Sequence, residues 1–196
     1  MTTQVLEQAT EERLIRRRAS AEEFWSLPES VLPTEYIDGE IIMAPSPTIE
    51  HQSASKSIVR SLDRFVGDSA ADQLFYAPLN VVLPSGDVVQ PDIFFLSKED
   101  VKRAKKQRRV RCAPLFVVEI ISPGSVTHDT IRKRDLYERN GVREYWMVDV
   151  EKRTVAQLVL RKKHYVLTEL GESDVIKSAV LAGFEMKVGG LLGVRQ

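Results

Sequence analysis

Two acids stand where acids are rare. Glu119 interrupts the apolar run Leu115-Phe116-Val117-Val118-Glu119-Ile120-Ile121, and Asp92 lies between Val88-Val89-Gln90-Pro91 and Ile93-Phe94-Phe95. An ionised carboxylate buried in such a strand costs several kcal/mol in desolvation unless a cation, a metal ion or a set of donors compensates it. If the two carboxylates converge they also repel one another. A hard divalent cation with oxygen ligands relieves that repulsion, which makes a metal site the first reading. Lys133, on the polar segment that follows, is a candidate for the compensating cation.

The elements that must position these groups are legible around them. The run from Leu115 to Ile121 is bounded by Pro114 and Pro123 and reads as a central strand buried on both faces. Leu79–Leu83, a turn over Pro84-Ser85-Gly86-Asp87, and Val88–Phe95 read as a β-hairpin; Val88, Gln90, Asp92 and Phe94 share one face of its second arm. Paired side by side, the two strands bring Asp92 and Glu119 to one point. Ser125 or Thr127 can open the next helix, and Asn140-Gly141 closes it. At 100° per residue Asp129, Lys133, Leu136, Tyr137 and Asn140 share a face, so Lys133 and Tyr137 turn toward the sheet, while Ile131 lies opposite.

Pro91-Asp92, an acid in an apolar strand, and a helix carrying an inward Lys resemble the PD-(D/E)XK nuclease superfamily. More specifically, Tyr36-Ile37-Asp38-Gly39-Glu40-Ile41, Val118-Glu119-Ile120-Ile121-Ser122-Pro123, Lys133 with Tyr137, and Gly141-Val142-Arg143-Glu144-Tyr145-Trp146-Met147-Val148-Asp149 resemble the Uma family of "putative restriction endonucleases". The resemblance implies a restriction-endonuclease-like α/β (α+β) fold, with a mixed central sheet flanked by helices. It also implies an endonuclease hydrolysing DNA with Mg²⁺ (or Mn²⁺), the metal held by Asp92, Glu119 and the backbone carbonyl of Ile120. Ile121 stands where the superfamily pattern has its Lys, so the charge must come from elsewhere, and Lys133 is the replacement. Glu40 reads either as a solvated edge acid or as a third acid at the site, and His51 either as a structural histidine or as a site residue.

Composition bounds the rest. The chain has 196 residues, 43% of them hydrophobic, enough for one well-buried domain. We expect a flexible tail over residues 1–19 and a single domain over 20–196. Net charge is zero, so any nucleic-acid contact is local. A single cysteine, Cys112, suits a reducing compartment. No stretch approaches the roughly 20 apolar residues of a membrane span, which points to a soluble cytoplasmic protein. No phosphate-binding glycine loop, dinucleotide fingerprint or Cys-His metal spacing is present. The expected partner is DNA, with no membrane and a homodimer left open.

Ser20-Ala21-Glu22-Glu23 opens a short helix with a capping box, Asp38-Gly39 makes a hairpin turn within Tyr36–Met43, and Thr48 caps a helix through Val66 with Ile58, Leu62 and Phe65 toward the sheet. Strands are expected over Glu144–Val150, Val155–Leu160 and Tyr165–Leu170, with Val180–Leu192 closing the core. The segment Ser97–Arg111 holds Lys102, Arg103, Lys105, Lys106, Arg108, Arg109 and Arg111, and reads as a basic loop over one end of the sheet, either solvated or in contact with phosphates. Against the nuclease reading stands a non-catalytic nucleic-acid or protein interaction module of the same fold, in which Glu119 and Lys133 form a metal-free ion pair.

Overall fold

The structure, a computed structural model, describes residues 15–28, 32–67, 73–121 and 128–193. Ile15–Arg18 forms β1. The capping box forms at Ser20, whose hydroxyl accepts from the Glu23 backbone while Glu23 returns a bond to the Ser20 N–H, and it starts α1 (Ala21–Ser26). β2 (Thr34–Ile37) and β3 (Glu40–Met43) join through Asp38 and Gly39, both at positive φ, as a tight hairpin requires. Thr48 accepts from the His51 N–H and caps α2 (Ile49–Val66). β4 (Leu74–Tyr76), β5 (Val81–Val82), β6 (Val88–Val89) and β7 (Ile93–Phe95) follow. The second half holds α3 (Lys98–Gln107), β8 (Val110–Arg111), β9 (Phe116–Ile121) and α4 (His128–Arg139). It continues through β10 (Glu144–Asp149), β11 (Thr154–Arg161), β12 (His164–Leu170), β13 (Val175–Lys177), β14 (Glu185–Lys187) and α5 (Val188–Leu192).

The fold is α+β with mixed sheets. One sheet runs β12-β11-β10-β9-β7-β4, with β9 and β10 parallel and the other neighbours antiparallel; a second runs β1-β3-β2-β6-β5-β8. Alternation along β9 divides the hydrophobic core. Phe116, Val118 and Ile120 pack with Ala54, Ile58 and Leu62 of α2 and with Leu181, Phe184, Val188, Leu191 and Leu192 of the C-terminal segment, which closes this side. Val117 faces the other way, with Phe94, Ile37, Val89, Leu136, Tyr137 and Tyr145, between the two sheets and under α4. Glu119 shares the Val117 face, so the acid is aimed into the space between the sheets.

Four expectations are corrected. The arm Val88–Phe95 is not one strand: β6 belongs to the second sheet and β7 to the first, and the chain bends between them because Pro91 has no N–H to continue a ladder. The expected tail over residues 1–19 ends in β1, which pairs with β3 from Ile15↔Met43 to Arg18↔Glu40; residues 1–14 lie outside the described residues. Phe65 is 42% exposed, although it meets Phe184 edge-on. The basic segment is a helix rather than a loop. Ser97 accepts from the Asp100 N–H, acids fill the first turn of α3, Lys105 and Lys106 fill the last, and Val101 anchors it in the core. Because α3 leaves β7 after Phe95, which pairs with Phe116, it sits at the opposite end of the sheet from Asp92 and Glu119. Beyond it, Arg109 stacks over Trp25 of α1 at 4.5 Å.

Glu144 is fully buried at the start of β10 and accepts from the Trp146 indole, Gln157, the Ser178 hydroxyl and the backbone N–H groups of Ala179 and Val180. It ties the C-terminal segment to the sheet. Glu144→Ala leaves these donors unsatisfied in the core and is expected to cost about 3–5 kcal/mol by denaturant unfolding; a loss below about 1 kcal/mol would mean that water replaces the carboxylate.

Candidate active site

Antiparallel pairing of β7 with β9 sets Ile93 opposite Val118. One step further along the same register, just before β7 begins, the Asp92 backbone comes level with Glu119. Asp92 Oδ2 accepts from the backbone N–H of Ile120 at 2.7 Å and faces His51 Nε2 at 3.2 Å, the histidine arriving from the first turn of α2. Burial opposes a proton on His51, but the hydrogen bond and charge of Asp92 outweigh it and raise the imidazole above its ordinary value.

Glu119 is the centre of the ion network. Its Oε1 accepts from the Lys133 ammonium at 3.1 Å and from the Tyr137 hydroxyl at 2.6 Å, both delivered by one face of α4. Lys133 also reaches Glu35 Oε1 at 3.0 Å, and the same oxygen accepts from the Gln90 N–H at 2.9 Å. Burial pushes the Glu119 carboxyl up to about 7; Lys133 opposes the shift, and the neighbouring charges of Asp92 and Glu35 add to it. Burial works against the Lys133 ammonium, yet Glu119 and Glu35 together hold it protonated well above the lysine range. The Tyr137 phenol is likewise pushed up, first by burial and then by the same two carboxylates, so it acts as a donor.

The structure therefore brings together Asp92, Glu119, Lys133, Tyr137, His51 and the Ile120 backbone. It does not bring Glu40 to the acids. Glu40 Oε2 is held by the Arg132 guanidinium at 2.7 Å, which also donates to the Ile37 carbonyl, while Arg139 pairs with Asp38 and Asp87. These arginines clamp α4 to the β2–β3 turn, next to the residue that must carry Lys133 inward. If the two acids hold a divalent ion, Glu40→Gln is expected to leave its affinity unchanged within twofold in a thermal-shift titration; a tenfold loss would count Glu40 as a ligand. The acid that sequence reasoning missed is Glu35. Its burial alone had a local signal, since it shares a strand face with the fully buried Ile37. The expected cap residues Ser125 and Thr127 lie outside the described residues, as does the side chain of Asp129.

The donor set fits a hard cation. Among the described residues no three His, Cys, Asp or Glu side chains converge as a metal cluster. Asp92 and Glu119 are nonetheless juxtaposed, and each has one oxygen, Oδ1 and Oε2, that accepts no hydrogen bond among the described residues. Two carboxylate oxygens and a backbone carbonyl, completed by water, make an oxygen-only shell of the kind Mg²⁺ takes.

Residues 21–189 match the family described as "Uma2: Putative restriction endonuclease". The chain belongs to the Uma2 family. Its fold is similar to the crystal structure of "a putative nuclease belonging to DUF820" from Anabaena variabilis ATCC 29413, with TM-score 0.76 and 20% identity over 87% of this chain and 96% of that one. No curated protein matches the chain. In this Uma2 chain the match takes in β2, β7, β9 and α4, and so every residue of the network around Glu119. Among the described residues no helix is long and apolar enough to cross a membrane.

Proposed function

We propose that this Uma2 protein is a metal-dependent endonuclease that hydrolyses phosphodiester bonds of DNA. The observation that carries the reading is the register of β7 with β9, which brings Asp92 level with Glu119 one step beyond the Ile93–Val118 pair, with the Lys133 ammonium at Glu119 although Ile121 stands where the superfamily pattern has its Lys. Asp92, Glu119 and the Ile120 carbonyl would hold Mg²⁺ or Mn²⁺. Such an ion, when bound, lowers the pKa of a water and stabilises charge on the attacked phosphate. The protein's own groups do the rest. Lys133 presents a fixed positive charge beside Glu119, placed to orient the attacking water or to offset charge on the phosphate in the transition state. Tyr137 and Glu35 hold Lys133 and Glu119 in register, and His51 holds Asp92 through Oδ2, leaving Oδ1 for the ion. A reducing, cytoplasmic setting suits Cys112, whose thiol is pushed up to about 11 by burial and is unreactive.

Nicking of supercoiled plasmid tests the proposal: cleavage by the parent in Mg²⁺ or Mn²⁺, none in chelator, and none by Asp92→Asn or Glu119→Gln with the fold retained. One observation favours a second reading, a non-catalytic module of the same fold: Lys133 and Tyr137 already satisfy Glu119 Oε1, and Glu35 supplies the second carboxylate to Lys133. Under that reading no nucleic acid is cut. Divalent ions then also leave the melting temperature unchanged, whereas occupancy at 100 times Kd would add about 2.7 kcal/mol.

A further inference from the structure

Lys56, Arg60 and Arg64 stand at i, i+4 and i+8 along α2, on the side turned away from the sheet. Their charges therefore climb one line at about 6 Å per step. Ser53, Ser57 and Ser61 repeat the same spacing one residue column away, and together the six residues line a cleft of about 480 Å³. Met186 and Gly190 supply the opposite wall, so no acid lines it.

Like charges at i, i+4 destabilise a helix, and a chain of zero net charge has acids available to relieve them. Arg103, Arg132, Arg139, Arg153 and Lys152 each have an acidic partner. Among the described residues, Lys56, Arg60 and Arg64 have none. A single compact anion would need the cations to converge; a ladder of cation and hydroxyl rungs suits a repeating anion instead. Rungs about 6 Å apart are comparable to the spacing of consecutive phosphates along one nucleic-acid strand. Guanidinium, ammonium and hydroxyl groups are the usual donors to phosphate oxygens. No aromatic residue lines the cleft, so the bases have nothing to stack on.

We infer that the α2 cleft binds the phosphate backbone of a nucleic-acid strand across about three consecutive phosphates, independently of sequence. The cleft is a contact separate from the catalytic acids, because His51 enters the site from the opposite side of the same helix. The inference rests on nucleic acid being the substrate, not on cleavage.

Anisotropy of a labelled 30-nucleotide single strand, measured in chelator over a range of salt, tests it without turnover. The triple variant Lys56→Gln, Arg60→Gln and Arg64→Gln keeps good helix formers at exposed positions. It is expected to bind at least tenfold more weakly at low salt, with the slope of log K against log salt reduced by about 0.7 per lost contact, or roughly 2 in all. Arg60→Lys with Arg64→Lys is expected to keep the parental slope. Melting temperature and its divalent-ion response should be parental in both variants, which separates a lost cleft from a lost fold or a lost metal site. Unchanged affinity and slope in the triple variant overturn the inference. So does a parent that binds no oligonucleotide, or one that binds only anionic phosphatidylserine vesicles. If the parent binds through the cleft but cuts nothing, the inference stands and the nuclease reading alone falls.

Discussion

Lys133→Ala is expected to slow metal-dependent DNA cleavage by about 10²–10³-fold, the scale on which removing one preorganised charge or donor acts. The expectation follows from position: Lys133 is held, half-buried, between Glu119 and Glu35, within 3.1 Å and 3.0 Å of their oxygens, and no side chain on β9 can substitute for it because Ile121 occupies the equivalent strand position. Removing the ammonium leaves two buried carboxylates facing each other, which costs about 3–5 kcal/mol when a buried pair is broken. Lys133→Met, close in volume and uncharged, keeps the packing and isolates the electrostatic part. In both variants the divalent-ion rise in melting temperature is expected to persist or grow, since an ammonium is not a metal ligand and its loss leaves the ion as the main counter-charge. Adding Ile121→Lys to Lys133→Ala should recover part of the rate, because residue 121 is two positions along the same face of β9 as Glu119. Cleavage at the parental rate by Lys133→Ala would show that the helix lysine does not replace the strand lysine, and the metal-free ion-pair reading would gain.

What was legible in the chain depended on how local the cause was. Glu119, Asp92, Lys133 and Tyr137 come together in space as their surroundings imply: an acid inside an apolar run has to be compensated, and a 3.6-residue period turns Lys133 with Leu136 and Tyr137 toward the sheet. The Ser20 and Thr48 caps and the Asp38-Gly39 turn were also readable, since each is decided within four residues. The chemistry that was missed is long-range. Glu35 becomes a buried partner of Lys133 only because the second sheet lays β2 over the first, an arrangement that a four-residue strand does not encode. Glu40, nearer the turn, drew attention that belonged to its neighbour two β-residues away across the hairpin, and its real partner Arg132 lies 92 residues further on. Pro91 did encode the break between β6 and β7, and Ser97 with Asp100 encoded the start of α3. Hydrophobic alternation on one side and a run of positive charge on the other masked both signals.

The same burial that identifies Glu119 sets a pH dependence. Its carboxyl is raised from 4.5 to about 7, by burial first and by Asp92 and Glu35 as well, with Lys133 opposing. The folded protein therefore holds this proton more tightly than the unfolded chain does. In the metal-free protein the contribution of this group to stability is fully present below about pH 4.5 and is lost as pH rises through about 7, by at most roughly 1.4 kcal/mol per unit. On the proposed metal-dependent reading, divalent-ion binding would run the other way, because the ion would need the carboxylate and would have to displace its proton below about 7. Apparent affinity for Mg²⁺ is thus expected to climb about tenfold per pH unit up to about 7 and then level off. Melting curves with Mg²⁺ titrated at half-unit steps from about pH 5.5 to 8.5 read both effects at once. Glu119→Gln, which cannot titrate, should flatten the metal-free profile in this range and abolish the divalent-ion response. An affinity for Mg²⁺ that ignores pH across that range, or one that survives Glu119→Gln, would move the metal away from Glu119 and leave the acid as the buried counter-ion of Lys133.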